Sequence, residues 1–541
     1  MLSLRLRSLL ITPLVIAALM SVSVISSPVL AQDEPAETVA AEQSASTSFS
    51  DAVDGVFEKL NGVLAGVLFF TVPLQTIQGP DGPESIGMPF IVVLLALGGL
   101  FFTVRYGFVN VRLFHHGIEV VQGKFDAPDH DGEISHFQAL TSALSATVGL
   151  GNIAGVAAAI ALGGPGAVFW MWVIAFLGMS MKFSSCTFAQ LYRRFDKDGR
   201  TLGGPMVYLE EGLKPILGFG VAKGFGVFYA VLCVLASFGG GNLFQGNQTA
   251  AALIHTFGFE RSDVASGAVG VSLAVLAGIV IIGGIRRIGE VTSKIVPAMC
   301  LFYVGVCLFT ILSNISQAGT LFASIFSEAF TGNALGGGAA GGLILVFATG
   351  AQRAVFSNEA GVGSAAIAHS AARTDEPIRE GVVAMIGPFI DTIVICTMTA
   401  LTLLITNVFE GQFGQSIGFG DGAIKTIEAF GTVHPMLSYA LCVAIFVFAY
   451  STIISWSYYG DRAVEYLVGP AGVVPYRIMF VILVAMGPFF SLGNVLDFSD
   501  ISLLSMAFPN IIGMVILSGV VATRTKQYVD RLKSGEIKPT R

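Results

Sequence analysis

The feature that most constrains this chain is a succession of long apolar runs separated by short polar stretches. Eleven runs follow residue 86, and each is long enough to cross a bilayer as a helix, which takes at least about 17 residues. They lie near 87–108, 137–160, 166–191, 225–254, 264–285, 294–314, 336–358, 380–406, 434–459, 475–491 and 500–523. Because lipid offers the backbone no hydrogen-bond partner, these runs predict an all-α polytopic membrane protein of about 11 transmembrane helices.

The composition excludes several classes of protein. Hydrophobic residues make up 54% of the chain and charged residues only 12%, which excludes a soluble enzyme, a coiled coil and a disordered regulator. The formal net charge is −7, and the basic residues are spread over short stretches, so nucleic acid is not an expected partner. All six cysteines lie inside apolar runs and are expected to be packing residues, not metal ligands or disulfides.

The N-terminal segment has the pattern of a secretory signal. Arg5 and Arg7 precede an apolar run over 9–25, and small residues follow, so we predict that residues 1–31 are removed. The alternative is an uncleaved first spanning helix. Residues 32–86 are then expected to form an extracytoplasmic tail, polar at its start.

The charges between the runs set the orientation. Beyond the leader, only Lys59, Arg261 and Lys425 fall on the side that this topology places outside, whereas the basic residues of 192–200 and 524–541 fall inside. We therefore expect a multi-pass protein of a bacterial-type plasma (inner) membrane, with the mature N-terminus outside and the C-terminus in the cytoplasm.

The order of the runs fits a five-plus-five inverted repeat. The run at 87–108 is set apart as an extra N-terminal helix, 137–314 forms the first repeat, 336–523 the second, and 524–541 a cytoplasmic tail. An odd number of helices per half inverts one half relative to the other. In secondary transporters of this plan the first helix of each repeat is broken near the bilayer midplane.

Both expected breaks carry helix-breaking signals. The first region reads ATVGLGNIAGVAAAI and the second reads FATGAQRAVFSNEAGVGSA, with glycines at Gly149, Gly151, Gly155, Gly350, Gly361 and Gly363. Close packing between membrane helices also selects glycine, and for any single residue that interpretation stays open. The paired placement at the start of both halves favours the breaks.

A break near Asn152 would expose groups that bind ions. The N–H groups of Leu150, Gly151 and Asn152 would favour an amino-acid carboxylate. On the other side, the carbonyls of Ser145 and Val148 would lose their helical donors and suit a small alkali cation.

Hydroxyl partners for such a cation are available in a later run. Ser451, Thr452 and Ser455 lie at apolar depth in FVFAYSTIISWSYYG. The alternative is that these hydroxyls bond to carbonyls of their own helix, as Ser and Thr commonly do in membrane spans.

Two further side chains are candidates for substrate contact. Gln245 lies in GGGNLFQGNQTA, and its amide oxygen could accept a hydrogen bond from a ligand ammonium. The neighbouring Asn242, Asn247 and Gln248 are expected to join helices. Trp456 either lines the substrate pocket or anchors a helix end at the membrane interface.

Four ionisable residues fall at or near membrane depth: Lys182, Arg353, Glu359 and Asp391. Such groups are costly there and suggest function. The alternative is a structural ion pair of Arg353 with Glu359, or of either with Lys182. Asp391 is a candidate proton or cation carboxylate.

Several motifs together resemble one transporter family. GGPGAVFWMW at 163–172, followed by Gly178, resembles the signature of the alanine or glycine:cation symporter family, and ATVGLGNIAGVAAAI, GNLFQGN, RAVFSNEAGVGSAAIAH and STIISWSYYG resemble its helices in the same order. The resemblance covers roughly 86–523. It implies the fold of the amino acid–polyamine–organocation superfamily and uptake of alanine or glycine driven by sodium.

The resemblance also implies roles for particular residues. It implies a sodium site at Ser145, Val148, Ser451 and Thr452, a carboxylate site at Gly149–Asn152, and substrate contacts from Gln245 and Trp456. The expected activity is sodium-coupled symport by alternating access, with no enzymatic reaction and no resident cofactor beyond the co-transported ion. The alternative is a proton-coupled permease for another small neutral amino acid, with Asp391 as the proton carrier.

Overall fold

The computed structural model describes residues 62, 70–79, 82–126, 130–197, 199–260, 262–331, 339–409, 413, 419–490 and 492–540. The predicted leader and most of the predicted tail lie outside these residues. The end of the tail segment forms an antiparallel hairpin of Thr71–Gly79 (β1) and Gly82–Pro89 (β2), in which Thr71 faces Pro89. The first helix begins directly after it.

The helices of the first half follow in chain order. They are Phe90–Arg105 (α1), Val109–Arg112 (α2), Phe114–Val121 (α3), His136–Thr147 (α4), a 3-10 turn at Leu150–Asn152, Ala154–Gly163 (α5) and Gly166–Leu191 (α6). After the short pair Arg194–Phe195 (β3) and Thr201–Leu202 (β4) come Pro205–Leu217 (α7), Phe219–Phe238 (α8), a π-helical segment Gly239–Leu243, Phe244–Phe257 (α9), Asp263–Ile281 (α10), Gly284–Ser313 (α11) and Ile315–Thr331 (α12).

The second half is built in the same way. It contains Ala339–Asn358 (α13), Ala365–His369 (α14), Pro377–Ala384 (α15), Ile386–Pro388 (α16), a π-helical segment Phe389–Cys396, Thr397–Ile405 (α17), Phe419–Val433 (α18) and Pro435–Val468 (α19). It ends with 3-10 turns at Pro470–Gly472 and Gly487–Phe489 on either side of Val473–Met486 (α20), then Leu492–Ser505 (α21) and Ala507–Lys533 (α22).

Each of the eleven predicted spans contains a helix at the expected place. Among the described residues, eight helices are long and apolar enough to cross a membrane, and the bent pair formed by α4 and the segment Leu150–Gly163 makes a ninth. The shorter α1 is also apolar, and α13 carries Gln352 and Arg353 within the span. The predicted class, an all-α polytopic membrane protein in five-plus-five order with one extra N-terminal helix, is confirmed.

The first predicted break lies between α4 and α5. Val148 and Gly149 have extended backbone (φ −73°, ψ 92° and φ −148°, ψ −152°), and the two helical pieces are bent by 60°. A Cβ on Gly149 would be 2.7 Å from Thr452 Oγ1, so glycine permits the break to approach α19.

The second break lies between α13 and α14, after Gly350. Glu359, Gly361 and Gly363 have φ of +55°, +86° and +90° and end the helix in left-handed conformations. Gly350 instead packs against α6, where a Cβ would be 2.5 Å from Ala167 O. The prediction of a broken first helix in both halves is confirmed, and Gly350 is a packing glycine.

The helices that hydropathy did not indicate lie between the spans. They include α7, α12 and α18, whose charged or polar residues interrupt the apolar runs. The helix α18 packs over α5, where a Cβ on Gly422 would be 2.8 Å from Ala154 O. It therefore covers the far half of the first broken helix.

Candidate functional site

The predicted cation ligands meet at the contact between the first broken helix and α19. Ser145 O accepts hydrogen bonds from Thr452 Oγ1 at 3.1 Å and Ser451 Oγ at 3.4 Å, and Ser145 Oγ donates to Ser451 O at 2.7 Å. All three residues are buried, as is Val148 one turn further along. The structure thus brings together oxygens from residues about 306 positions apart in the chain.

The break explains why the Ser145 carbonyl is available. In a continuous helix it would accept from the N–H of Gly149, four residues on. That N–H donates instead to Asn152 Oδ1 at 2.8 Å, and the hydroxyls of α19 take its place. Ser451 Oγ also contacts Phe448 O at 2.9 Å, so bonding to its own helix and bonding across to α4 coexist at this residue.

Of the three N–H groups predicted to meet a carboxylate, that of Asn152 already has a partner within the chain. The Asn152 N–H donates to Gly149 O at 3.1 Å and that of Ile153 to Leu150 O at 3.2 Å. Within the described part of the chain, the N–H groups of Leu150 and Gly151 make no hydrogen bond. They remain available to an anion, with the dipole of the following helix behind them.

The Asn152 side chain has a different role from its backbone. Its Nδ2 donates to Ser357 Oγ at 2.9 Å and Asp391 Oδ1 at 2.8 Å, and Thr399 Oγ1 donates to Asn152 O at 2.8 Å. Asn152 therefore connects the first break to the second broken helix and to the π-helical segment Phe389–Cys396. Both ends of its side-chain amide are therefore occupied by partners within the chain.

A small cavity of about 20 Å³ lies between the two breaks and α19, room for about one water molecule. Five predicted site residues line it together with residues of α13 and the second break. The lining consists of Ala146, Thr147, Gly149, Gly151, Gly240, Gln245, Phe356, Glu359, Thr452, Trp456 and Leu503. An amino acid is larger than this cavity.

Gln245 presents an acceptor to this cavity. Its Nε2 donates to Gly240 O at 2.9 Å, inside the π-helical segment. Its Oε1 is buried and accepts no hydrogen bond within the described residues, and it lies 3.8 Å from the position of a Cβ on Gly149. Two of the other amides bond to distant parts of the chain, as expected: Asn242 Nδ2 donates to Phe480 O at 2.7 Å and Asn247 Nδ2 to Phe490 O at 2.9 Å. Gln248 Nε2 instead donates to Asn247 Oδ1 at 3.3 Å within its own helix.

Trp456 forms a wall of the cavity. It lies inside α19 with 2% of its surface exposed, and its ring lies so close to Gly241 that a Cβ there would be 2.4 Å away. Its Nε1 donates to Glu359 Oε1 at 3.1 Å. This burial inside a long helix argues against the alternative of an interface anchor.

The ionisable residues match the sequence-based alternative only in part. Arg353 forms an ion pair with Asp500 at 2.5 Å, and both side chains are nearly buried. Glu359 interacts electrostatically with Lys182, which is one of the alternatives that the sequence offered. Asp500 lies 147 residues away, and no local pattern indicated it. Glu359 accepts from Trp456 and Ser364.

Asp391 lies in the π-helical segment and is fully buried. Its carboxylate accepts from Asn152 Nδ2 at 2.8 Å, Ser357 Oγ at 2.5 Å and Thr392 Oγ1 at 2.8 Å. Lys182 of α6 interacts electrostatically with both Glu359 and Asp391. These contacts connect the two breaks through side chains that sequence reasoning treated separately.

A histidine–carboxylate cluster is a feature that the sequence did not indicate. His369 Nδ1 lies 2.5 Å from Glu380 Oε1, and His136 Nδ1 contacts Glu380 Oε2. His136 begins α4 and His369 ends α14. The buried carboxylate of Glu380 therefore joins the two helix ends that lie away from the breaks. Each histidine lies at a helix end, where the sequence showed only an isolated imidazole.

Comparison with known proteins assigns these features to a family. The model of the sodium:alanine symporter family matches residues 82–541. The sodium/alanine symporter AgcS of Methanococcus maripaludis is 42% identical over 83% of this chain and 96% of its own length.

Two Bacillus subtilis proteins are also similar. The amino-acid carrier protein AlsT is 36% identical over 84% of this chain and 92% of its own length. The probable sodium/glutamine symporter GlnT is 34% identical over 82% of this chain and 91% of its own length. The two broken helices, the oxygen cluster between them and α19, and these matches over most of the chain agree: the protein belongs to the sodium:alanine symporter family.

Proposed function

We propose that the protein is a secondary active transporter that couples uptake of alanine, glycine or both to the inward movement of sodium. The observation that carries this proposal is the Ser145 carbonyl, which is released from its helix by the break and faced by Ser451 and Thr452 of α19. Hard oxygen ligands of this kind suit a small alkali cation. Membership of the sodium:alanine symporter family supports the assignment.

Sodium would act by joining two moving parts. Ser145 and Val148 belong to the first broken helix, whereas Ser451 and Thr452 belong to α19. An ion bound between them replaces the present hydrogen bonds with cation–oxygen contacts and holds the two elements at one spacing. The bound state then differs in free energy from the unbound state, which is the requirement for an ion to shift a conformational equilibrium.

The substrate would bind next to the ion. Its carboxylate meets the N–H groups of Leu150 and Gly151, and Gln245 Oε1 accepts from its ammonium. Trp456 and Phe356 enclose the space. This enclosure favours a small side chain such as that of glycine or alanine.

The driving force is sufficient for accumulation. One sodium ion moving down a membrane potential contributes about 2.3 kcal/mol per 100 mV, and its concentration gradient adds to this. Alternating access of the site to the two sides of a plasma (inner) membrane converts that free energy into an amino-acid gradient. We place the mature N-terminus outside and the C-terminus in the cytoplasm, from the distribution of basic residues.

The test is uptake of radiolabelled alanine and glycine by purified protein in liposomes. An imposed inward sodium gradient should produce saturable accumulation, and a potassium gradient of equal size should not. Flux that never saturates, or that is independent of a second ion, would identify a channel. Absence of uptake under every gradient would contradict the proposal.

A second candidate is a proton-coupled permease for another small neutral amino acid. Asp391 favours it, because a buried carboxylate joined to both breaks could carry the coupling proton. The similarity to a probable sodium/glutamine symporter also supports a substrate other than alanine or glycine. Accumulation driven equally by a pH gradient, and lost in Asp391→Asn, would support this candidate over sodium coupling.

A further inference from the structure

We propose that Glu359 is the specificity-determining residue for the substrate ammonium, so that the site selects amino acids over acids that lack the amino group. This inference rests on the proposed function. It adds an ionisable residue from the second break to a pocket whose other proposed polar contacts with the substrate come from the first break and α9.

The position of Glu359 indicates a constraint beyond helix packing. It follows the last residue of α13 and has a φ of +55°, a conformation that costs free energy for a residue with a side chain. Gly361 and Gly363 also have positive φ, which glycine adopts without that cost. A glutamate in this conformation just before the two glycines indicates that the position needs the side chain and not only the backbone conformation.

The side chain of Glu359 reaches the cavity. It is 97% buried, and it lines the cavity with Gly149, Gln245 and Trp456. Among the residues that line this cavity, only Glu359 has an ionisable side chain. An ammonium group placed there would therefore meet one full negative charge as well as the neutral Gln245 oxygen.

The hydrogen bonds leave capacity for one more donor. Oε1 accepts from Trp456 Nε1 at 3.1 Å and Oε2 accepts from Ser364 Oγ. The two oxygens of a carboxylate offer about four lone-pair positions. Two of those positions are used, so an ammonium can bind without displacing either partner.

The charge balance also favours a cation. Glu359 and Asp391 both interact electrostatically with Lys182, so one basic side chain faces two carboxyl groups. Asp391 is occupied by Asn152, Ser357 and Thr392. Burying an uncompensated charge is costly, and a substrate ammonium next to Glu359 would remove that cost.

The experiment compares alanine with lactate, which replaces the amino group by a hydroxyl. Sodium-driven alanine uptake into liposomes is measured together with its inhibition by lactate for the wild type, Glu359→Gln, Glu359→Asp and Trp456→Phe. Glutamine can still accept from Trp456 and donate to Ser364, so Glu359→Gln removes the charge and keeps both side-chain contacts. Trp456→Phe removes the indole donor and keeps the charge.

We expect Glu359→Gln to raise the KM for alanine about tenfold or more and to lower the preference for alanine over lactate by a similar factor. The sodium concentration for half-maximal uptake should stay within about twofold of wild type, because the ion ligands are elsewhere. Glu359→Asp and Trp456→Phe should reduce uptake and retain the preference.

Three results would overturn this inference and leave the proposed function standing. They are full preference for alanine in Glu359→Gln, an equal loss of preference in Trp456→Phe, and a change in Glu359→Gln that is confined to the sodium dependence. The last would assign Glu359 to the ion. If Glu359→Gln fails to fold, as shown by thermal unfolding of the purified protein, Glu359→Asp and Trp456→Phe decide, since loss of preference in either contradicts a charge-based site. Absence of alanine uptake by the wild type would overturn the proposed function and this inference with it.

Discussion

The carbonyl oxygen of Ser145 accepts a hydrogen bond from Thr452 Oγ1 at 3.1 Å, across the contact between the first broken helix and α19. Both groups are buried at a point where the helix has lost its own donor to Asn152. A cation that binds there gains oxygens from both elements, and its departure leaves hydroxyls that satisfy the carbonyl. This contact is therefore suited to two states, with and without the ion.

The close approach at Gly149 predicts a steric requirement. A Cβ at this position would lie 2.7 Å from Thr452 Oγ1, so Gly149→Ala should push the break away from α19 and reduce sodium-driven uptake at least about tenfold. Gly305→Ala is the matched control, because nothing lies within 4 Å of a Cβ there. Both variants are compared for uptake at equal amounts of folded protein. Unchanged uptake by Gly149→Ala would contradict the described approach.

The ion pair between Arg353 and Asp500 predicts a coupled effect on stability. Removal of one partner leaves a nearly buried charge, so Arg353→Met or Asp500→Leu alone should lower the free energy of unfolding by about 3 kcal/mol. The double variant Arg353→Met/Asp500→Leu should recover much of the loss, because neither charge remains. Thermal unfolding of the four proteins in detergent gives the comparison. Strictly additive losses would show that the two residues do not act as a pair.

The helix α3, which lies between the first two spans, predicts a pH dependence of stability. Burial lowers the pKa of His116 below its usual value of 6.5, and its Nε2 lies 2.7 Å from Tyr528 Oη of α22. Below about pH 6.5, His116 is protonated in the unfolded chain while it is still neutral in the folded protein. The free energy of unfolding therefore falls as the pH drops from neutral toward the lower pKa of the folded state. His116→Gln should flatten this part of the profile.

The neighbouring histidine provides the control. The side chain of His115 is 87% exposed, so His115→Gln should leave the pH profile of unfolding unchanged. The measurement is the melting temperature of the purified protein from about pH 7.5 to pH 5. A profile equally flattened by both substitutions would assign the effect to surface charge instead of to the buried imidazole.

The helices and both breaks could be predicted because their causes are local. A run of apolar residues specifies a span without reference to the rest of the chain. Gly149, Gly361 and Gly363 mark the places where the backbone leaves the helix. Gly350 shows the limit of this reasoning, since the same residue type serves close packing against α6.

The pairings between distant residues could not be predicted because their causes are not local. Arg353 has a nearby carboxylate in Glu359, yet the fold brings Asp500 to it from the last helices. Glu380 joins His136 and His369 only because the fold brings together the ends of α4 and α14 that lie away from the breaks. The hydroxyls of α19 were identified as candidates from their depth, and their contact with Ser145 required the folded arrangement.

The most direct test of sodium-coupled transport is the sodium dependence of alanine uptake in liposomes for wild type, Thr452→Ala and Thr452→Ser. Thr452→Ser keeps the hydroxyl that contacts Ser145 O, and Thr452→Ala removes it. We predict that Thr452→Ala raises the sodium concentration for half-maximal uptake at least about tenfold, while Thr452→Ser stays close to wild type. Equal sodium dependence in all three proteins would contradict the ion site, and alanine uptake without sodium in the wild type would contradict the coupling.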